Sequence, residues 1–255
     1  MEKVTYIIPI HVVDDEAKQY MTKAFTSLAS LKGAEDSEVF LVGELDAISQ
    51  AQKLFIEVAG GDNKQISTLI PTDENDLFKK INLAVSKCKT TYFSLLEFDD
   101  EYYPYWNTVA QRYTKDDYTI IMPISEIVTP SGETAGLANE IAWDAAFVDS
   151  GDLGSIKVPD LLIFKGFIPS GSYIKTKDFN KLGGLKPELK IAAWYEYLLN
   201  AANSGKKIFI APRIGYRHTV LRNGSYMTNI SKEITQEEGA ALIKQAMSAY
   251  KPETE

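Results

Sequence analysis

The chain has 255 residues, 35 acidic against 27 basic for a net charge of −8, and 45% of it is apolar. That is globular composition with enough length to bury a large core, and its acidity argues against a nucleic-acid partner, which needs clustered Lys and Arg to neutralise phosphates. A single cysteine, Cys88, excludes a disulfide framework. The opening apolar run is far too short for a membrane span and carries acids where a secretory cleavage site would lie, so the expected protein is soluble and cytoplasmic.

The N-terminal half alternates two periodicities. VTYIIPI (residues 4–10) is a continuous β-rich run, the pattern of a strand covered on both faces. Asp14 and Asp15 open a helix with Tyr20, Ala24, Phe25, Leu28 and Leu31 at helical spacing. EVFLVG (38–43) predicts a second strand, followed by a helix up to a Gly60-Gly61 break, and ISTLI (66–70) a third. Acids after Pro71 and Thr72 start the next helix, with Leu77, Ile81, Val85 and Cys88 as its inward stripe, and TTYFSLLE (90–97) is the fourth strand. Repeated β-α-β units of this kind predict an α/β fold, Rossmann-like, with a mostly parallel mixed sheet and helices on both faces.

The second half is less regular. A helix is expected over residues 102–112, a strand over 117–125, a Gly/Ser/Thr-rich loop over 129–139, a helix in EIAWDAAFV, and loop-like chain with short β pieces over 150–170. GSYIKT reads as a strand, KDFNKLGG as a short helix and turn, and IAAWYEYLLNAANSG as a helix ended by Gly205, with KIFIAP as the strand after it. Thr235 to Glu238 has the form of a capping box before a final amphipathic helix. One domain over residues 1–220 with a C-terminal extension, 221–255, is the expected organisation.

The chemically conspicuous stretch is LLEFDDEYYPYW, where Glu97, Asp99, Asp100 and Glu101 directly follow a buried strand. In open α/β sheets, ligands bind beyond the carboxyl ends of the strands, so this strand delivers acids to a site edge, where a divalent-cation clamp is expected. The competing reading is a solvated acidic turn that caps the helix from Tyr102 to Arg112 through its dipole.

The order of these pieces resembles the family 2 glycosyltransferases, inverting GT-A enzymes that use nucleotide-sugar donors. The resemblance rests on TYIIPIH, FLVGELD, INLAV, LLEFDDE, YIKTKDFNKLGGLKPEL and KKIFIAPRIGYRH. It implies a nucleotide-diphosphate-sugar donor held by Pro9, His11, Glu44, Asp46, Asn82 and Asp99. Mn²⁺ or Mg²⁺ would sit on Glu97, Asp99, Asp100 and His218, and an acceptor hydroxyl would approach past Gly183, Gly184 and Trp194. His218 also reads as a surface hydrogen-bonder, and His11 as a strand terminator. The family's acidic pair, which supplies the catalytic base, is replaced here by Ala193-Trp194, neither of which accepts a proton. Glu196, one helical turn on, and Glu188, in the preceding loop, are the candidate bases; a helix-surface carboxylate is the other reading of Glu196. The replacement also supports an alternative class, a catalytically inactive GT-A-fold protein serving as a binding or structural component, for instance of a larger, phage-type assembly.

Overall fold

The computed structural model describes residues 2–60, 65–222 and 225–250, so Gly61 of the expected break lies outside the described residues. Strand β1 (Val4–Pro9) is buried at every position. Its side chains alternate between two cores, Val4, Tyr6 and Ile8 in one and Ile7 in the other, as the two-residue pleat requires. Helix α1 (Asp15–Ala29) starts where Asp14 accepts the Ala17 N–H at 2.7 Å. Then come β2 (Glu38–Gly43), α2 (Leu45–Ala59), β3 (Ile66–Pro71) and α3 (Leu77–Lys87), the last capped by Asp76. Strand β4 (Tyr92–Leu95) ends two residues before Glu97.

The second half departs from expectation in four places. The predicted helix over residues 102–112 is divided into β5 (Glu101–Tyr102) and α4 (Trp106–Tyr113), because β5 pairs with the last strand and Pro104 follows it. This removes the reading of the acids as the cap of a helix starting at Tyr102. After β6 (Ile120–Val128), the predicted loop contains β7 (Thr134–Ala138), which folds back antiparallel onto β6. EIAWDAAFV forms only a 3-10 turn, Glu140–Trp143. Asn139 uses its buried amide on the Pro123 and Ile168 carbonyls and the Ile168 N–H, and Asp144 accepts the Ala146 N–H; such side-chain bonds compete with helix. Residues 150–170 hold β8 (Ser155–Ile156), a short β piece of the expected kind, but also the unexpected α5 (Val158–Ile163), which has Pro in its first turn.

The remainder runs β9 (Tyr173–Lys175), α6 (Thr176–Lys181), α7 (Ala193–Asn203), β10 (Ile208–Thr219), α8 (Tyr226–Glu233) and α9 (Gln236–Ser248). The expected capping box is present at Thr235 and Glu238. Sheet order is β3-β2-β1-β4-β9-β6-β10-β5. Strands β3, β2, β1 and β4 are mutually parallel neighbours; β9 runs against both β4 and β6, and β10 is parallel to β6. The carboxyl ends of β1, β2, β4 and β10 therefore share one rim. One core, with Phe25, Met21 and Phe55, fills the α1–α2 face; the other, with Phe78, Phe179 and Leu198, fills the α3–α7 face. Ala246 and Tyr250, at the end of the chain's described residues, join this second core. Among the described residues no helix is long and apolar enough to cross a membrane.

Candidate active site

Beyond β4 the chain still leans on β1, Leu96 donating to the Ile7 carbonyl at 2.9 Å, and then turns back on itself, Asp100 N–H meeting the Glu97 carbonyl at 3.0 Å. The end of β10 ties this acidic turn down from 118 residues away. Thr219 donates its N–H to Asp100 Oδ1 (2.8 Å) and its hydroxyl to the Asp99 carbonyl (2.7 Å), and His218 Nδ1 lies 2.9 Å from Asp100 Oδ2. Ser170, ahead of β9, donates to Glu97 Oε1 at 2.7 Å, and the Glu97 N–H donates to the Tyr216 hydroxyl at 3.2 Å. Three elements thus converge on one turn.

Glu97, Asp100 and His218 offer ligand atoms that all lie within 4.8 Å of one another. The two carboxylates supply the oxygen ligands that Mn²⁺ and Mg²⁺ prefer, and the imidazole, once it gives up its proton, suits Mn²⁺ better than Mg²⁺, so these residues fit the expected cation best as Mn²⁺. Asp99 is engaged elsewhere. Its Oδ2 accepts Arg222 Nε at 2.6 Å, the two side chains only 7% and 4% exposed. The Arg222 guanidinium also lies 4.9 Å from the Phe98 ring centroid and 5.4 Å from that of Tyr20.

Burial sets the electrostatics of the trio. It raises the Glu97 carboxyl to about 7, Asp100 adding to the rise and His218 opposing it. It also raises Asp100, against the pull of His218. For His218, burial favours the neutral ring, but the Asp100 charge and hydrogen bond outweigh it and lift the ring to about 9. Both Glu97 and His218 hold their protons more tightly folded than unfolded, so their contribution is fully present at low pH and is lost as pH rises through the folded values. Without divalent cation, stability should therefore fall between about pH 5 and pH 9. Urea unfolding in EDTA across that range checks this; stability that is flat or rises would show that the acids and His218 are solvated.

Four of the expected donor residues, Pro9, His11, Glu44 and Asp46, lie along the same rim. Pro9 ends β1, and His11, exposed just beyond it, sets its ring edge-on to Phe98 at 4.8 Å. Glu44 and Asp46 are exposed at the start of α2, beside that end. Gly43 is required there, because a Cβ would come 2.3 Å from the Ile10 carbonyl. Lys80, not singled out from sequence, is buried with Nζ 3.3 Å from the Ile10 carbonyl, its charge acting on the His11 ring, and burial lowers its pKa. A lysine within the Leu77–Ile81–Ala84 stripe of α3 was the available signal, since long charged side chains seldom enter a core face without a partner. Tyr226 of α8 completes this side, its ring 6.5 Å from His11 and edge-on to Phe78 at 5.9 Å, its hydroxyl donating to Asp76 Oδ2 at 3.0 Å.

Asn82 is placed differently from a donor ligand in its contacts. Its amide clasps Leu185, Nδ2 to the carbonyl at 2.8 Å and the Leu185 N–H to Oδ1 at 2.9 Å. Gly183 and Gly184 turn with φ of +90° and +70°, and a Cβ on Gly184 would meet Asn82 Oδ1 at 2.7 Å, so the turn requires glycine there. Asn82→Ala should destabilise by about 1–3 kcal/mol, the cost of leaving buried backbone groups unmet, with nucleotide affinity unchanged. A weakened nucleotide affinity at full stability would return Asn82 to the donor.

Beyond that turn, Lys190 has φ +46° and ψ −120°, a strained conformation for a residue with a side chain. Ala193 is buried and Trp194 half-buried, edge-on to Tyr197 at 5.9 Å. Glu188 is exposed. Glu196 is 1% exposed, so it is no surface carboxylate: Lys186 Nζ donates to its Oε1 at 2.5 Å, and Tyr250 OH donates to the same oxygen. Trp106 and Trp143 spend their indole N–H groups on the Gly171 and Ile210 carbonyls, as packing residues do.

No protein-family model matches the chain, and no curated protein matches it either. Solved structures do. S. aureus TarS residues 1–349 in complex with UDP-GlcNAc superposes with a TM-score of 0.67 at 15% identity, over 96% of this chain and 65% of that one. The same fragment in complex with UDP gives 0.61 at 14% identity, over 97% and 70%. Longer TarS gives 0.60 at 15% identity, over 97% and 42%. The chain thus spans about two thirds of the TarS fragment's length. TarS is a GT-A-type family 2 glycosyltransferase, and the fold of this chain is GT-A.

Proposed function

We propose that the protein is a metal-dependent, inverting glycosyltransferase that moves a sugar from a nucleotide-diphosphate donor to an acceptor hydroxyl. The observation that carries this is the gathering of Glu97, Asp100 and His218 at the rim of a GT-A sheet, the fold that holds UDP-GlcNAc in TarS. These three would hold Mn²⁺ or Mg²⁺, which when bound supplies Lewis-acid charge for a departing diphosphate. Pro9, His11, Glu44 and Asp46 line the nucleotide side, where Lys80 adds a cation. On the acceptor side, beyond Gly183, Gly184 and Trp194, Glu188 accepts the hydroxyl proton as the oxygen attacks the anomeric carbon. Glu196 is the second candidate base, and Tyr250 and Lys186 would have to release it first. The absence of disulfides and the donor class both suit the cytoplasm. Residues 221–255 are proposed as an extension of the 1–220 catalytic unit.

Calorimetric titration with UDP, UDP-GlcNAc and other nucleoside diphosphates, with and without Mn²⁺, tests the reading. Micromolar, Mn²⁺-dependent binding is expected. Silence across the panel would favour the non-catalytic alternative, which draws on Ala193 being packed into the core where the family carries its base.

A further inference from the structure

We propose that Tyr226 is the second wall of the base-binding slot, so that the planar base of the donor nucleotide is held between the His11 and Tyr226 rings. The inference rests on the donor reading above and adds a residue from the C-terminal extension to it. Two rings can hold a third between them when each ring-to-ring contact is about 3.5 Å, a total of about 7 Å. The His11 and Tyr226 centroids stand 6.5 Å apart with a 58° tilt, close to that total, so a base would enter as the His11 ring turns by roughly the tilt angle toward parallel and moves slightly outward. His11 is the more exposed of the pair, its ring held edge-on against Phe98 at 4.8 Å, whereas Tyr226 is fixed at both ends. Its ring is set perpendicular to Phe78 at 5.9 Å, and its hydroxyl is held by Asp76. Asp76 is in turn the cap of α3, accepting the Lys79 N–H at 2.9 Å, so the tyrosine is braced against the start of a helix that also carries Lys80, whose Nζ reaches the Ile10 carbonyl next to His11. A ring packed against the core on one side and facing an exposed histidine at the strand-end rim on the other can serve as a stacking platform.

The test separates the base from the diphosphate. UDP and inorganic pyrophosphate are titrated, with Mn²⁺ present, into wild type, Tyr226→Leu and Tyr226→Phe. Tyr226→Leu keeps an apolar contact with Phe78 but has no ring, and should weaken UDP by roughly ten- to a hundredfold, the range that base–aromatic stacking gives, with pyrophosphate unchanged. Tyr226→Phe keeps the ring and should stay within a few-fold of wild type. Unchanged or tighter UDP binding by Tyr226→Leu overturns the proposal, the second because it would make Tyr226 a plug. An equal loss of UDP and pyrophosphate also overturns it, since that marks a structural role. If wild type binds pyrophosphate but no nucleoside diphosphate, the slot itself is refuted; if it binds neither, the donor reading falls first and takes the slot with it.

Discussion

Arg222→Ala should unfold at a free energy about 3–5 kcal/mol below wild type, the usual cost of leaving one member of a buried ion pair behind. The pair qualifies because both side chains are almost sealed from water and Nε–Oδ2 is 2.6 Å. Loss of the guanidinium also takes away its contacts with Phe98 and Tyr20. Asp99→Asn should cost a similar amount from the other side, by stranding the cation. The double variant Asp99→Asn/Arg222→Met should recover most of the loss, because replacing both partners removes the stranded charge. Urea unfolding of these variants together with the single Arg222→Met closes the cycle and gives the coupling energy. Single-variant losses under about 1 kcal/mol would mean that the pair behaves like an exposed one. The same experiment bears on the cation: if Asp99 belongs to Arg222, Asp99→Asn weakens the fold more than it weakens Mn²⁺.

The second large effect concerns proton transfer. Glu188→Gln should lower turnover by roughly 10²–10⁴-fold, the usual contribution of a general base, with little change in donor affinity. Glu196→Gln should act chiefly on stability instead, since its carboxylate anchors Lys186 and Tyr250 and holds α9 against α7. Steady-state kinetics and thermal unfolding on both variants separate the two roles. Full turnover in Glu188→Gln together with a hundredfold loss in a stably folded Glu196→Gln would transfer the role of base to Glu196.

The strands and helices of the first half were legible because both faces of the sheet are covered: β1, β2 and β4 read as unbroken apolar runs and α1 and α3 as single stripes. The acidic turn was legible for the same reason, as a sharp change of composition at a strand end. What escaped notice depends on partners remote in sequence. β7 exists because β6 offers it an edge, and the helix expected after Asn139 is lost to that residue's bonds with Pro123 and Ile168. Arg222, Ser170 and Tyr226 likewise carry no local signal, since an arginine in a loop becomes a buried counter-charge only when Asp99, 123 residues earlier, is brought to it.

That dependence on remote partners has a temporal side. The acidic turn leaves the ribosome long before His218 and Thr219, and no trio exists until β10 has slid in beside β6 and reached the turn. Contacts of such long separation close late, because the entropy of ordering the intervening chain must be met first. On the proposed function, a divalent cation would therefore have no assembled site on a half-made chain. In refolding experiments, recovery of a Mn²⁺-dependent signal should trail the recovery of helical circular dichroism, and the cation would then mark the last strand to arrive.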